Sequence, residues 1–161
     1  MPDAHDPSQS PDAVTVRIEA PSERIYDIVT DIAQMGRLSP ECVGGRWLDG
    51  ATGPAVGARF KGTNKRGLAR WSTTNEVVEA ERPRVFTFET QQSGYRWSYL
   101  LEPDGTDATF VTESRAPFKK RPLVAKLFTQ VLLGGEDGHT DELRDGMRQT
   151  LERVKALAES G

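Results

Sequence analysis

Near the end of the chain one apolar stripe, Leu143, Met147, Leu151 and Val154, recurs at steps of four and three and runs on to Ala158. That spacing marks one face of an amphipathic helix. The helix is predicted over Glu136 to Glu159, roughly 36 Å long at 1.5 Å per residue. Most of the chain between Val14 and Arg115 alternates with a period of two instead. A single long helix must therefore cover one face of a sheet several strands wide. A helix is about 10 Å across, too narrow to fill the concave side of such a sheet. This order of elements predicts a cavity between helix and sheet.

Val14, Val16, Ile18 and Ala20 alternate with Thr15, Arg17 and Glu19, the pattern of a half-buried strand. Pro21-Ser22 opens a short helix with Ser22 as the expected N-cap, carrying Ile25, Tyr26, Ile28 and Val29. A second helical turn holds Ile32, Met35 and Leu38 and ends at Gly36 and Pro40. A strand is expected over Val43 to Leu48. Five more follow over Ala58 to Arg66, Ala69 to Glu81, Arg84 to Gln91, Tyr95 to Glu102 and Ala108 to Arg115. Short gaps with Gly, Asn or Pro suit an antiparallel meander. Leu123, Val124, Leu127, Phe128, Val131 and Leu132 have helical spacing before Gly134-Gly135. The plan is α+β: a polar tail over residues 1–12, then one domain over 13–161.

The stretch from Tyr95 to Leu101 puts three aromatic rings, Tyr95, Trp97 and Tyr99, on one strand face with Leu101. A hairpin closing at Asp104-Gly105, with Leu101 opposite Thr109, brings Thr109, Val111 and Glu113 to that face. A slip of one residue would bury Phe110 instead of Val111. The matching faces of the earlier strands carry Phe60, Gly62 and Asn64, then Trp71, Thr73, Asn75 and Val77, then Phe86 and Phe88. The helix adds Leu143, Met147 and Leu151. Taken singly, the aromatics read as core packing. Together with Asn64, Thr73, Asn75 and Glu113 they read as the wall of a cavity, because buried polar groups without partners cost about 1–3 kcal/mol each. The expected ligand-binding set is Asn64, Trp71, Thr73, Asn75, Phe86, Phe88, Tyr95, Trp97, Tyr99, Val111, Glu113, Leu143 and Met147.

Composition narrows the chemistry. The 161 residues carry a net charge of −3, with one cysteine, Cys42, and two histidines. No basic patch stands out by composition, so nucleic acid is not an expected partner. A lone cysteine makes neither an internal disulfide nor a zinc cluster, so no metal or other cofactor is expected. No apolar run reaches the ~18 residues of a membrane span. The first thirteen residues lack the apolar core of a signal peptide, and a cytoplasmic location is expected. There is no phosphate loop, dinucleotide fingerprint, His-Glu-x-x-His or Gly-x-Ser-x-Gly. His5 lies in the tail. His139 sits beside Thr140, an expected N-cap of the long helix. Lys119, Lys120 and Arg121 read as a solvated loop, with membrane docking the alternative, to which three charges contribute little.

The segments IEAPSERIYDIVTD, MGRLSPECVGGRW, GARFKGTNKRGLARWSTTNEVVEAE, WSYLLEPDGTDATFVTES and GMRQTLERVKALAE, in that order and spacing, resemble the START / Bet v 1-type superfamily. Within it, they are similar to the bacterial polyketide cyclase/dehydrase-like lipid-binding proteins, from Val14 to Glu159. The resemblance implies a helix-grip fold: a curved antiparallel sheet of about six to seven strands wrapped around a long C-terminal helix, with two short helices after the first strand. It also implies a hydrophobic pocket; some members bind lipids and others bind or cyclise polyketides. Leu38 stands where relatives often carry an aromatic, which is expected to widen the cavity mouth. Asn75 stands where many carry a small or apolar residue, which is expected to place an amide inside.

Three functions follow as expectations. The first is a binding module for a hydrophobic or amphipathic small molecule, used in carriage or sensing. The second is a cyclase or dehydratase, with Glu113, Tyr99 and Tyr95 as candidate acid/base groups. Glu113 has a simpler reading as a salt-bridge partner of Arg96 or Arg115. The third is a protein-interaction module using Phe110, Phe118 and the segment Leu127 to Leu133, which would also suit a homodimer contact. No contact as an integral membrane protein is expected.

Overall fold

The computed structural model describes residues 12–118 and 136–160, with side chains from 141 onward in the second segment. The strands are β1 (Asp12–Ile18), β2 (Cys42–Trp47), β3 (Arg59–Arg66), β4 (Ala69–Glu81), β5 (Val85–Thr90), β6 (Tyr95–Pro103) and β7 (Thr109–Pro117). Helix α1 (Ser22–Val29) and a 3-10 turn (Ile32–Arg37) lie between β1 and β2, and helix α2 (Glu136–Glu159) ends the fold. The seven strands form one antiparallel sheet in the order β1-β7-β6-β5-β4-β3-β2. This is the helix-grip arrangement that the family resemblance implies, on the α+β plan read from the order of elements. The apolar segment 123–132, the cluster Lys119–Arg121 and most of the tail lie outside the described residues.

Helix α2 packs closely against β1, β7 and α1. Its stripe Met147, Leu151, Val154 and Ala158 is buried, while Leu143 is half-buried. Each fully buried Leu or Val contributes roughly 1.5–3 kcal/mol. The core continues through Ile18, Ile25, Val29, Phe60, Val77, Phe86, Leu101 and Val111. Across the bulge between Val77 and Glu79, β4 keeps Ala80 opposite Phe86. The 3-10 turn lies directly on β2, where glycine permits the approach. A Cβ at Gly45 would stand 2.8 Å from the Ile32 carbonyl oxygen, and one at Gly36 would stand 2.7 Å from that of Val43.

Four local expectations are corrected. Leu101 stands opposite Val111, not Thr109. The shift is two residues, so the faces are preserved, and Phe110 stays exposed. Ser22 is the first residue of α1 rather than its cap, a place taken by Pro21. The buried Ser22 hydroxyl instead pairs with Thr109 Oγ1 at 3.1 Å, and Thr109 donates to the Ala20 carbonyl at 2.9 Å. Helix α2 starts at Glu136, so Thr140 lies within it and does not cap it. Asp12, assigned to the tail, opens β1 opposite Arg115.

Candidate functional site

The register arranges the inward side chains in rows across the sheet. One row runs Val14, Glu113, Tyr99, Phe86, Ala80, and the next Asp12, Arg115, Trp97, Phe88, Val77. A third runs Tyr95, Thr90, Asn75, Phe60, Trp47. Beyond it lie Thr73, Gly62 and Gly45, then Trp71, Asn64 and Cys42. Asn64, Trp71, Thr73, Asn75, Phe86, Phe88, Tyr95, Trp97, Tyr99, Val111 and Glu113 therefore share one face, as the alternation predicts.

Burial divides that face. Phe60, Phe86, Phe88, Tyr99, Val111 and Met147 are core. Phe60 meets Trp47 and Phe88 edge-on, with ring centroids 5.6 and 5.0 Å apart. Asn64, Trp71, Thr73, Tyr95 and Trp97 are only half-buried, as is Leu143 on α2. They lie toward the end of the sheet where β1, β4 and β6 begin and β3, β5 and β7 finish. Ion pairs tie that end to the first turns of α2: Arg66 with Glu142, and Arg144 with Asp12 at 3.6 Å.

The polar groups on this face satisfy one another more than the sequence suggests. Thr90 Oγ1 donates to Asn75 Oδ1 at 2.7 Å, and Asn75 Nδ2 donates to Thr73 Oγ1 at 3.3 Å and to the Phe60 carbonyl at 3.4 Å. Asn75 is buried inside, as expected, but it needs no water or ligand there. The premise of unpartnered polar groups fails at Asn75 and Thr73, while one carboxyl oxygen of Glu113 is left unpartnered. Tyr99 donates its hydroxyl to Glu113 Oε1 at 3.2 Å, and Glu113 Oε2 has no partner. Among the described residues it is the one buried side-chain oxygen or nitrogen without one.

A model of the polyketide cyclase / dehydrase and lipid transport family matches residues 13–159. The chain belongs to that family. The polyketide cyclase-like protein Cgl2372 from Corynebacterium glutamicum is 30% identical, with 91% of this chain and 90% of that one covered and a TM-score of 0.60. A START superfamily protein from Mycobacterium smegmatis has the same fold at 14% identity, with coverage of 91% and 95% and a TM-score of 0.67. The di-domain aromatase/cyclase StfQ of the steffimycin biosynthetic pathway matches at 12% identity, with a TM-score of 0.66 over 91% of this chain and 44% of that one. Among curated protein sequences none matches.

Within this polyketide cyclase/dehydrase-type fold, burial pushes the Glu113 carboxyl up to about 8, the Tyr99 hydrogen bond pulling the other way. Burial, and then the neighbouring Glu113, raise the Tyr99 phenol well above its ordinary range. Near neutral pH Glu113 is thus a neutral acid. It carries one O–H donor on a carboxyl whose second oxygen has no hydrogen-bond partner, and such a group can donate to a carbonyl or hydroxyl oxygen placed beside it. The Cys42 thiol is buried and raised, and it donates to the Gly44 carbonyl at 3.3 Å, which makes it a poor nucleophile.

The salt-bridge reading of Glu113 does not hold. Arg96 serves Glu89 at 3.1 and 2.6 Å, and Arg115 serves Asp12 at 3.2 and 2.7 Å. Sequence reasoning treated Arg115 only as that partner. It is an inward, buried cation whose guanidinium lies 4.3 Å above the Tyr95 ring. The available signal was its position two residues after Glu113, on the same strand face. Leu38, expected at the cavity mouth, is core, and its carbonyl accepts from Arg153 at 3.2 Å. The groove it borders, of about 540 Å³, also involves Arg24, Asp27, Arg37 and Leu157. It lies among α1, the 3-10 turn and the end of α2, away from Glu113.

Proposed function

We propose that the protein binds an amphipathic small molecule, of lipid or polyketide class, between the sheet and α2. The observation that carries this reading is Glu113: a buried, neutral carboxyl on the concave face with one oxygen unpartnered. Leaving a buried polar atom unmade costs about 1–3 kcal/mol, a loss that a ligand carbonyl or hydroxyl would recover. Trp97, Trp71 and Tyr95, half-buried on the same face, supply apolar area to a chain or ring system. Membership of a family that includes lipid transport supports the ligand class. The test is displacement of a fluorescent acyl probe, followed by native mass spectrometry of protein purified from its own host. Trp97→Ala is expected to weaken probe binding about tenfold with the fold intact. Binding indifferent to every substitution on this face would refute the reading.

A second reading, a cyclase or dehydratase, is favoured by the same pair. A carboxyl poised at about 8 beside a tyrosine hydroxyl suits general acid/base catalysis near neutral pH. It predicts turnover of a poly-β-ketone, abolished by Glu113→Gln. Absence of turnover in a sample that binds the same compound leaves carriage or sensing as the function.

A further inference from the structure

The outward face of β3 and β4 is unbalanced in charge toward the β3–β4 hairpin. The row Arg59, Glu76, Glu89, Arg96 carries two charges of each sign. Beyond it the rows are Arg46, Lys61, Thr74, then Gly44, Thr63, Ser72, then Lys65 opposite Arg70. Arg46–Lys61 and Lys65–Arg70 are like-charge pairs directly across the ladder, an arrangement that destabilises a sheet. None of these four side chains makes an ion pair among the described residues, whereas neighbouring Arg59 pairs with Asp49 and Arg66 with Glu142. The excess stands out in a chain whose net charge is −3. At the apex, after Gly67 in the left-handed region at φ 58°, Leu68 projects with its side chain fully exposed.

We propose that the β3–β4 hairpin docks on an anionic lipid surface, with Leu68 entering the interface and Lys65 and Arg70 meeting the headgroups. An apolar apex flanked by cations fits a bilayer interface, where apolar insertion and headgroup attraction act together. A phosphate backbone would use the cations and leave Leu68 idle. Arg46 and Lys61 lie four residues back along the strand, about 13 Å from Lys65 and Arg70. That is more than the ~8 Å Debye length at physiological salt, so they contribute less. Docking would set the sheet end bearing half-buried Trp71, Trp97 and Tyr95 against the bilayer. The proposal stands on the surface alone and does not require the ligand reading above.

The experiment is co-sedimentation of the full chain with vesicles of phosphatidylcholine, alone or mixed with phosphatidylserine, across a range of salt. Circular dichroism checks each variant; all the altered side chains lie on the outward face or at the apex. Binding is expected only with phosphatidylserine and should fall as salt rises. Lys65→Gln with Arg70→Gln should weaken it about thirty-fold, Leu68→Asn about tenfold, and Arg46→Gln with Lys61→Gln less than about fivefold. No sedimentation with phosphatidylserine, equal binding to phosphatidylcholine alone, or indifference to Leu68→Asn would overturn the proposal. Equal loss from both charge pairs, together with tighter binding to duplex DNA than to vesicles, would overturn it too and assign the face to nucleic acid.

Discussion

Tyr99 and Glu113 face each other across β6 and β7, the phenol donating to Oε1 at 3.2 Å while Oε2 is left without a partner. The pair sits on the concave side of the sheet at the border between packed core and half-buried wall. Holding a carboxyl neutral by burial has a thermodynamic consequence. The unfolded chain ionises Glu113 near 4.5 and the folded chain near 8. Below both values the group has no effect on stability. Between them the unfolded state sheds a proton that the folded state keeps, so stability falls as pH rises and levels off above about 8. The fall at this one group is of the order of 5 kcal/mol. Glu113→Gln is predicted to flatten that slope and to be more stable than the native chain at the alkaline end, measured by urea unfolding at a series of pH values. A slope unchanged by the substitution would contradict the assignment.

Tyr99→Phe removes the donor to Oε1. Since that bond favours the ionised carboxylate, the Glu113 midpoint should rise further, and the native state should lose about 1–3 kcal/mol for a second unsatisfied oxygen. Thermal unfolding together with carbon-detected titration of Glu113 separates the two effects. A lowered midpoint would be the wrong sign.

Asp12 and Arg115 occupy the next inward row of the concave face, beside Glu113 and Tyr99. Asp12→Ala withdraws the carboxylate from a buried guanidinium and should cost about 2 kcal/mol, less than a wholly buried pair because Asp12 keeps some contact with water. It should also free the start of β1, visible as faster amide exchange at Ala13 and Val14. Exchange that stays slow there would show that the pair does not hold the strand.

Gly45→Ala tests the seating of the 3-10 turn on β2. The new methyl group would meet a backbone carbonyl at 2.8 Å, which must move, at a cost of about 1–3 kcal/mol. Gly44→Ala, with open space at its Cβ, is the control and should change stability by less than about 1 kcal/mol. Equal effects at the two positions would remove the steric explanation.

The fold was legible because its signals are periodic. Alternation from Val14 to Arg115 and the stripe Leu143, Met147, Leu151, Val154 specify faces, and faces survive small errors of register. The β6–β7 hairpin was misjudged by two residues around Asp104-Gly105, yet Glu113 stayed inward because an even shift leaves the pleat unchanged. The partners of polar side chains were not legible. Asn75 looked like a group in need of water, but its partner Thr90 belongs to the neighbouring strand, and no local pattern announces that pairing. Arg115 and Asp12 meet across 103 positions of chain, and only the register joins them. Ser22 looked like a cap from its place before a helical run. Its hydroxyl is used instead by Thr109, 87 residues away.

The most direct measurement is a carbon-detected NMR titration of the Glu113 carboxyl in the folded protein, with and without a saturating amphipathic ligand carrying a carbonyl or hydroxyl group. The predicted midpoint is about 8 in the free protein, moving higher when the ligand accepts the Glu113 proton in a hydrogen bond. A midpoint near the ordinary glutamate value, unmoved by any such ligand, would contradict the claim that a buried neutral acid on the concave face receives the polar end of the bound molecule.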